Sequence, residues 1–251
     1  MAVWLAALVI GDAVFEARVR DRIGGRVAES LHAVATTEGG DLALVRGAFA
    51  VDGLAIQRDD EVGHLAIRVA RLDCALLPLG GALLDGDCTE LALRGLRASV
   101  SSTELFRLPR PRHARLHAGR VAIDDARLEL AAGAVAPNLG RAVLSIEHAE
   151  AGATVFKTAL SWLFALRALR ATVELPVAGT LQVVYRGGEL QVSGGLLGAQ
   201  PIALAVALPV ADPADDGRAE IQRLVEFGKQ VAERLVARKA AAWLTSGLAP
   251  R

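Results

Sequence analysis

Three stretches of this chain alternate apolar and polar residues and then skip one step in the same way. In "FAVDGLAI" Phe49 and Val51 alternate, Asp52-Gly53 interrupts, and Leu54 and Ile56 resume on the opposite parity. "LALRGLRASV" repeats this with Leu91 and Leu93, then Arg94-Gly95, then Leu96, Ala98 and Val100. "VAIDDARLEL" does so again with Val121 and Ile123, then Asp124-Asp125, then Ala126, Leu128 and Leu130. Alternation is the side-chain period of a β-strand. A skipped step is what a β-bulge writes in sequence, because the extra residue returns the apolar side chains to one face. Three such strands predict a curved, twisted, mainly antiparallel sheet with one apolar face.

The rest of the 251-residue chain frames that sheet. From Asp12 to Ala35, Val14, Phe15, Val19, Ile23, Val27 and Leu31 recur at helical spacing, with Arg18, Arg20, Asp21 and Arg22 mainly off the stripe. Gly24-Gly25 weakens that helix near its middle. "ATVFKTALSWLFALRALR", Ala153 to Arg170, is apolar on most sides, and its length and good helix formers predict a hydrophobic helix. Alternation returns from Ala171 to Pro209. A final amphipathic helix is expected over about 215–246, with Ile221, Leu224, Val225, Gly228, Val231, Leu235 and Val236 as its stripe and Asp215 or Asp216 as its cap. Consecutive strands, rather than strands alternating with helices, argue for an α+β fold in a single domain spanning 1–251.

The apolar run Ala2 to Ile10 is too short to span a bilayer, which needs about 20 residues. It also lacks the basic start and the cleavage site of a signal peptide. The tail of a membrane anchor, the start of an interfacial helix and the buried first turn of a globular helix remain open for it.

Chemistry is thinly marked. A net charge of zero argues against a nucleic-acid partner. No phosphate-binding loop or nucleophile elbow is present. His113 and His117 are four apart, but prolines precede them and no third ligand is at hand, so no metal is expected. Asp124-Asp125 is read as a bulge pair whose side chains point to opposite faces, which argues against a shared substrate. The reading is of a non-enzyme that needs no cofactor.

Arg107, Arg110, Arg112, Arg115 and Arg120 form a basic stretch without an acid. It is read either as a solvated loop or as a contact with anionic headgroups, each charge then contributing about 1 kcal/mol. Trp4, Trp162 and Trp243 fall one to each expected helix. Membrane-interface anchoring and core packing are the two readings of such tryptophans. The membrane-contact candidates are Trp4, Trp162, Arg110, Arg112 and Arg115.

The run Ala2 to Ile10, the Arg-rich helix, "GDLALVRGAFAVDGLAIQ" and "HLAIRVARLDCALLPLGGALLDGDCTELALRGLRASV" together resemble the N-terminal region of AsmA-like proteins, the bacterial envelope family of the TamB and YhdP type. The resemblance covers about the first 100 residues. It implies a groove-shaped sheet whose apolar face carries acyl chains, in a periplasmic protein associated with the inner membrane, with phospholipid as ligand and an envelope protein as partner. The helix, sheet and long-helix order also looks like tubular lipid-binding domains of the TULIP type. The expected groove lining is Phe49, Val51, Leu54, Ile56, Leu72, Leu76, Leu91, Leu93, Leu96, Val121 and Ile123. The alternative is a scaffold module whose helices cover the same face.

The two cysteines, Cys74 and Cys88, lie in "RLDCALLPLGGALLDGDCTELALRGLRASV". Strict alternation puts Cys74 in phase with Leu72 and Leu76, and Cys88 out of phase with Leu91 and Leu93. Opposed residues in an antiparallel pair keep a constant index sum. Matching the leucine faces needs an odd sum, as with Leu72 opposite Leu91, and pairing the cysteines needs an even one that sets Leu91 against Arg71. Without a bulge near Asp85 to Asp87, both thiols are expected to be free.

Overall fold

The computed structural model describes residues 33–43, 48–60, 63–75, 87–101, 116–131, 141–158, 160–212 and 217–247. They form one open, curved, mixed sheet of twelve strands and a single long helix. The strands are β1 (Val34–Thr36), β2 (Gly39–Ala43), β3 (Ala48–Asp60), β4 (Gly63–Ala75), β5 (Asp87–Ser101), β6 (Leu116–Ala131), β7 (Ala142–Ala151), β8 (Thr154–Phe156), β9 (Leu166–Leu175), β10 (Gly179–Arg186), β11 (Glu189–Gly194) and β12 (Gly198–Ala205). The helix is α1 (Gly217–Gly247). The sheet runs β1-β3-β4-β5-β6-β7-β9-β10-β11-β12, with β2 against β3 and β8 against β6. Among the described strands only β5 and β6 pair in parallel.

The skipped steps line up across the sheet. β3 and β4 keep one register on both sides of the skip, Asp52 opposite Arg71 and Leu54 opposite Val69. β4 and β5 do the same, with Arg71 opposite Arg94 and Val69 opposite Leu96. In parallel, Arg94 lies beside Asp124 and Arg97 beside Arg127. No strand gains a residue on its neighbour here, so the feature is a shared crease and not a set of separate bulges. Along it Gly53, Gly95 and Asp125 have φ of 62°, 63° and 53°. A residue in this left-handed region turns two consecutive positions outward, and the next apolar side chain then returns to the inner face three residues on. The crease continues into β7, where Ile146 and Ala149 are buried and Glu147 and His148 between them are not. It ends there in a register shift between β7 and β9.

A second crease crosses β5, β6 and the β7-to-β8 connection. Cys88 and Leu91 are both buried with Thr89 and Glu90 exposed between them, and Ala118 and Val121 are both buried with Gly119 and Arg120 exposed between them. Ala151 and Thr154 follow the same spacing. This corrects the cysteine expectation. The leucine faces do match, with Leu72 opposite Leu93 and Cys74 opposite Leu91. The skip at Thr89-Glu90 returns Cys88 to the face of Leu91, and Cys74 and Cys88 form a disulfide with their Cα atoms 5.5 Å apart.

The middle helix is also corrected. Its segment is β8, a 3-10 turn at Ser161–Ala165 and β9, in which Leu166 and Ala171 are buried and Arg167 and Arg170 are exposed. A long apolar run reads as a helix by length, yet here it is a buried turn entering an interior strand. The N-terminal helix lies outside the described residues up to position 32, and Val34 and Ala35 belong to β1. The final helix forms as expected, and its proposed caps Asp215 and Asp216 lie outside the described residues.

Candidate functional site

Register places the expected lining residues on one side of the sheet. One row across it is Phe49, Cys74, Leu91, Val121 and Ala151; the next is Val51, Leu72, Leu93, Ile123 and Ala149. Beyond the first crease come Leu54, Val69 and Leu96, then Ile56, Ile67 and Ala98. The face continues through Ile146, Ala171, Val183 and Val192 to Ile202 on β12. Leu76 lies outside the described residues. The buried cluster at the middle of this face includes Val121, Ile123, Ile146 and Tyr185. Phe49, Leu72, Leu93 and Leu96 are only half-buried beside it.

The opposite face is a mesh of charges. Arg71 donates to Asp73 at 2.8 Å and to Asp52 at 3.2 Å. Arg97 reaches both carboxylate oxygens of Asp125, at 2.9 and 3.1 Å, and its backbone carbonyl at 2.6 Å. Asp124 and Asp125 therefore both point outward at the crease, Asp124 meeting His148 Nδ1 at 2.6 Å. Arg120 donates to Glu150 at 2.7 Å, and this hydrogen bond holds the Glu150 carboxyl below its ordinary range and raises the guanidinium. Exposed pairs of this kind contribute little each, since water screens them. Their consequence is two-sidedness: one face sheds water and the other holds it.

Two residues that sequence reasoning placed elsewhere belong to the scaffold. Trp162, a membrane-contact candidate for which core packing was the other reading, is 6% exposed and packs in the main apolar cluster, so its indole does not reach a membrane surface. Arg110, Arg112, Arg115, Trp4 and His113 lie outside the described residues, and His117 is exposed on β6. Sequence reasoning missed Glu220, which is 1% exposed in the first turn of α1. Its Oε2 accepts hydrogen bonds from Ser161 Oγ at 2.7 Å and Thr158 Oγ1 at 3.1 Å. Lys157 Nζ donates to the Asp212 carbonyl at 2.6 Å beside it. These contacts fasten the start of α1 to the 3-10 turn.

Among the described residues no group of acids, histidines or cysteines is arranged to hold a metal ion. No helix among them is long and apolar enough to cross a membrane. No protein-family model matches the chain, and no curated protein is detectably similar to it in sequence.

Proposed function

We propose that this protein binds or transfers acyl-chain lipid, phospholipid foremost, on the apolar face of its sheet. The observation that carries this reading is the continuity of that face, whose apolar rows pass from β3 to β12 without a charged side chain in the paired positions named above. Half-buried Phe49, Leu72, Leu93 and Leu96 offer the surface on which a chain would lie. Extended acyl chains match a long sheet face, since the contact is non-directional and proportional to area. The disulfide supports an oxidising compartment such as the periplasm, because cytosolic thiols are kept reduced. The role is one of binding, not catalysis.

A scaffold role, with the face covered from within, is favoured by one observation. Leu65, Val121 and Ile123 at 2%, 1% and 3% exposure are already out of water. Organic extraction of purified protein followed by mass spectrometry separates the two readings. Lipid carriage predicts co-purified phospholipid and uptake of a fluorescent fatty acid in stoichiometric amounts. Protein that is lipid-free and takes up no probe supports the scaffold.

A further inference from the structure

The inward side of the sheet carries almost no charge. Among the inward strand positions whose side chains are described, one is charged, Arg58. It stands two residues before the end of β3 at Asp60, opposite Leu65 on β4, and its row continues through Val100 on β5 and Leu130 on β6. The flanks fix its orientation. Ile56 is 8% exposed, Leu65 is 2%, and Ala33, directly before β1, is 4% and packs in one cluster with Ile56, whereas Gln57 is exposed. The Arg58 Nε is shut off from water. An arginine therefore stands at one end of a face that is otherwise apolar.

That arrangement matches an amphiphile. Beside Arg58 the apolar surface starts at half-buried Val100 and Leu130. It runs along β5 through Leu96 to Leu93, roughly 20 Å at about 3.3 Å per residue. One extended acyl chain fits that run with its polar end at the arginine. A guanidinium presents five N–H donors in a fixed fork, so it can hold a phosphate bidentately while keeping contacts with its own chain. Its stem lies along apolar surface and its head meets the charge.

We infer that Arg58 binds the phosphate of a phospholipid whose acyl chain lies along β5. The inference rests on the lipid reading above and adds headgroup selectivity to it. The purified full chain is loaded with a neutral fluorescent diacylglycerol, which is then displaced by phosphatidylglycerol or by unlabelled diacylglycerol of the same chains, both added from one detergent. The wild-type protein is expected to prefer phosphatidylglycerol by at least about tenfold, the effect of a charge-assisted hydrogen bond. Arg58→Gln is expected to lose that preference while still taking up diacylglycerol. Arg58→Lys, which keeps the charge but not the fork, is expected to fall between the two. Arg68→Gln, which alters an exposed arginine of the other face, is expected to keep the whole preference. Equal displacement by the two lipids, or a preference that survives in Arg58→Gln, overturns the assignment of Arg58 and leaves the lipid reading standing. Loss of the preference in Arg68→Gln overturns it in the same way, as does its abolition by inorganic phosphate at the lipid's concentration, which marks a site for the free ion. A wild-type protein that takes up no diacylglycerol overturns the lipid reading itself, and the Arg58 assignment with it.

Discussion

Cys74 is bonded to Cys88 although the residue directly across from it on β5 is Leu91, three positions further along the chain. The second crease makes that compatible with an unbroken leucine face, since Cys88 and Leu91 are both buried. The bond closes a loop with a sequence separation of 14 residues. A loop of that size makes a disulfide worth about 3 kcal/mol through the unfolded chain. The C74A/C88A variant is therefore expected to unfold at lower denaturant with a similar slope. A thiol assay on the denatured, unreduced protein is expected to find no free thiol.

Gly95 is the pivot of the first crease. At φ 63° an added Cβ stands 2.8 Å from the Ala70 Cβ on β4. Gly95→Ala combines the left-handed backbone penalty with that overlap, and a loss of about 1–2 kcal/mol from the backbone alone is expected in chemical denaturation. Asp125→Asn, which keeps a residue tolerant of this conformation, is expected to cost less than Asp125→Ala.

Much of this was readable from spacing. The apolar positions of β5 (88, 91, 93, 96, 98 and 100) and of β6 (118, 121, 123, 126, 128 and 130) follow one pattern, and the first crease announced itself as Asp-Gly, Arg-Gly and Asp-Asp. The second crease was illegible because Thr89-Glu90 and Gly119-Arg120 carry no common signal, and the disulfide was lost with it. The segment 153–170 misled because apolar residues on all sides mark a buried element without saying which kind. Nothing in the spacing around Glu220 marks it as buried; only the tertiary placement of Thr158 and Ser161 buries it.

Glu220→Ala removes the shared acceptor of two hydroxyl groups beneath α1. Leaving buried donors unmet costs about 1–3 kcal/mol. Hydrogen exchange is expected to speed up along α1 and the Ser161–Ala165 turn while β3 to β7 keep their protection. Uniform loss of protection across the sheet contradicts the assignment of Glu220 as a local fastening.

Acid sensitivity follows from the Arg120–Glu150 pair. The Glu150 carboxyl is held below its ordinary range by the Arg120 hydrogen bond, so the folded state favours the carboxylate. Its contribution is complete above the ordinary glutamate range and is lost as pH falls through the lowered folded value. Glu150→Gln is thus expected to leave stability nearly pH-independent at this site, with a small loss at neutral pH that shrinks toward acid. A variant that loses more stability in acid than the wild type has the opposite sign.

The central claim is that lipid lies on one face of this sheet, and neighbouring residues test it. Leu93 and Ala92 are adjacent on β5 but face opposite sides, Leu93 opposite Leu72 and Ala92 opposite Asp73. A photo-crosslinking amino acid placed singly at Leu72, Leu93 or Leu96, and at Ala92 or Arg94 as the other-face set, is irradiated in cells that produce the protein and the adducts are weighed. Phospholipid-mass adducts at the first three positions and none at the last two are predicted. Adducts on neither face, or equally on both, contradict it.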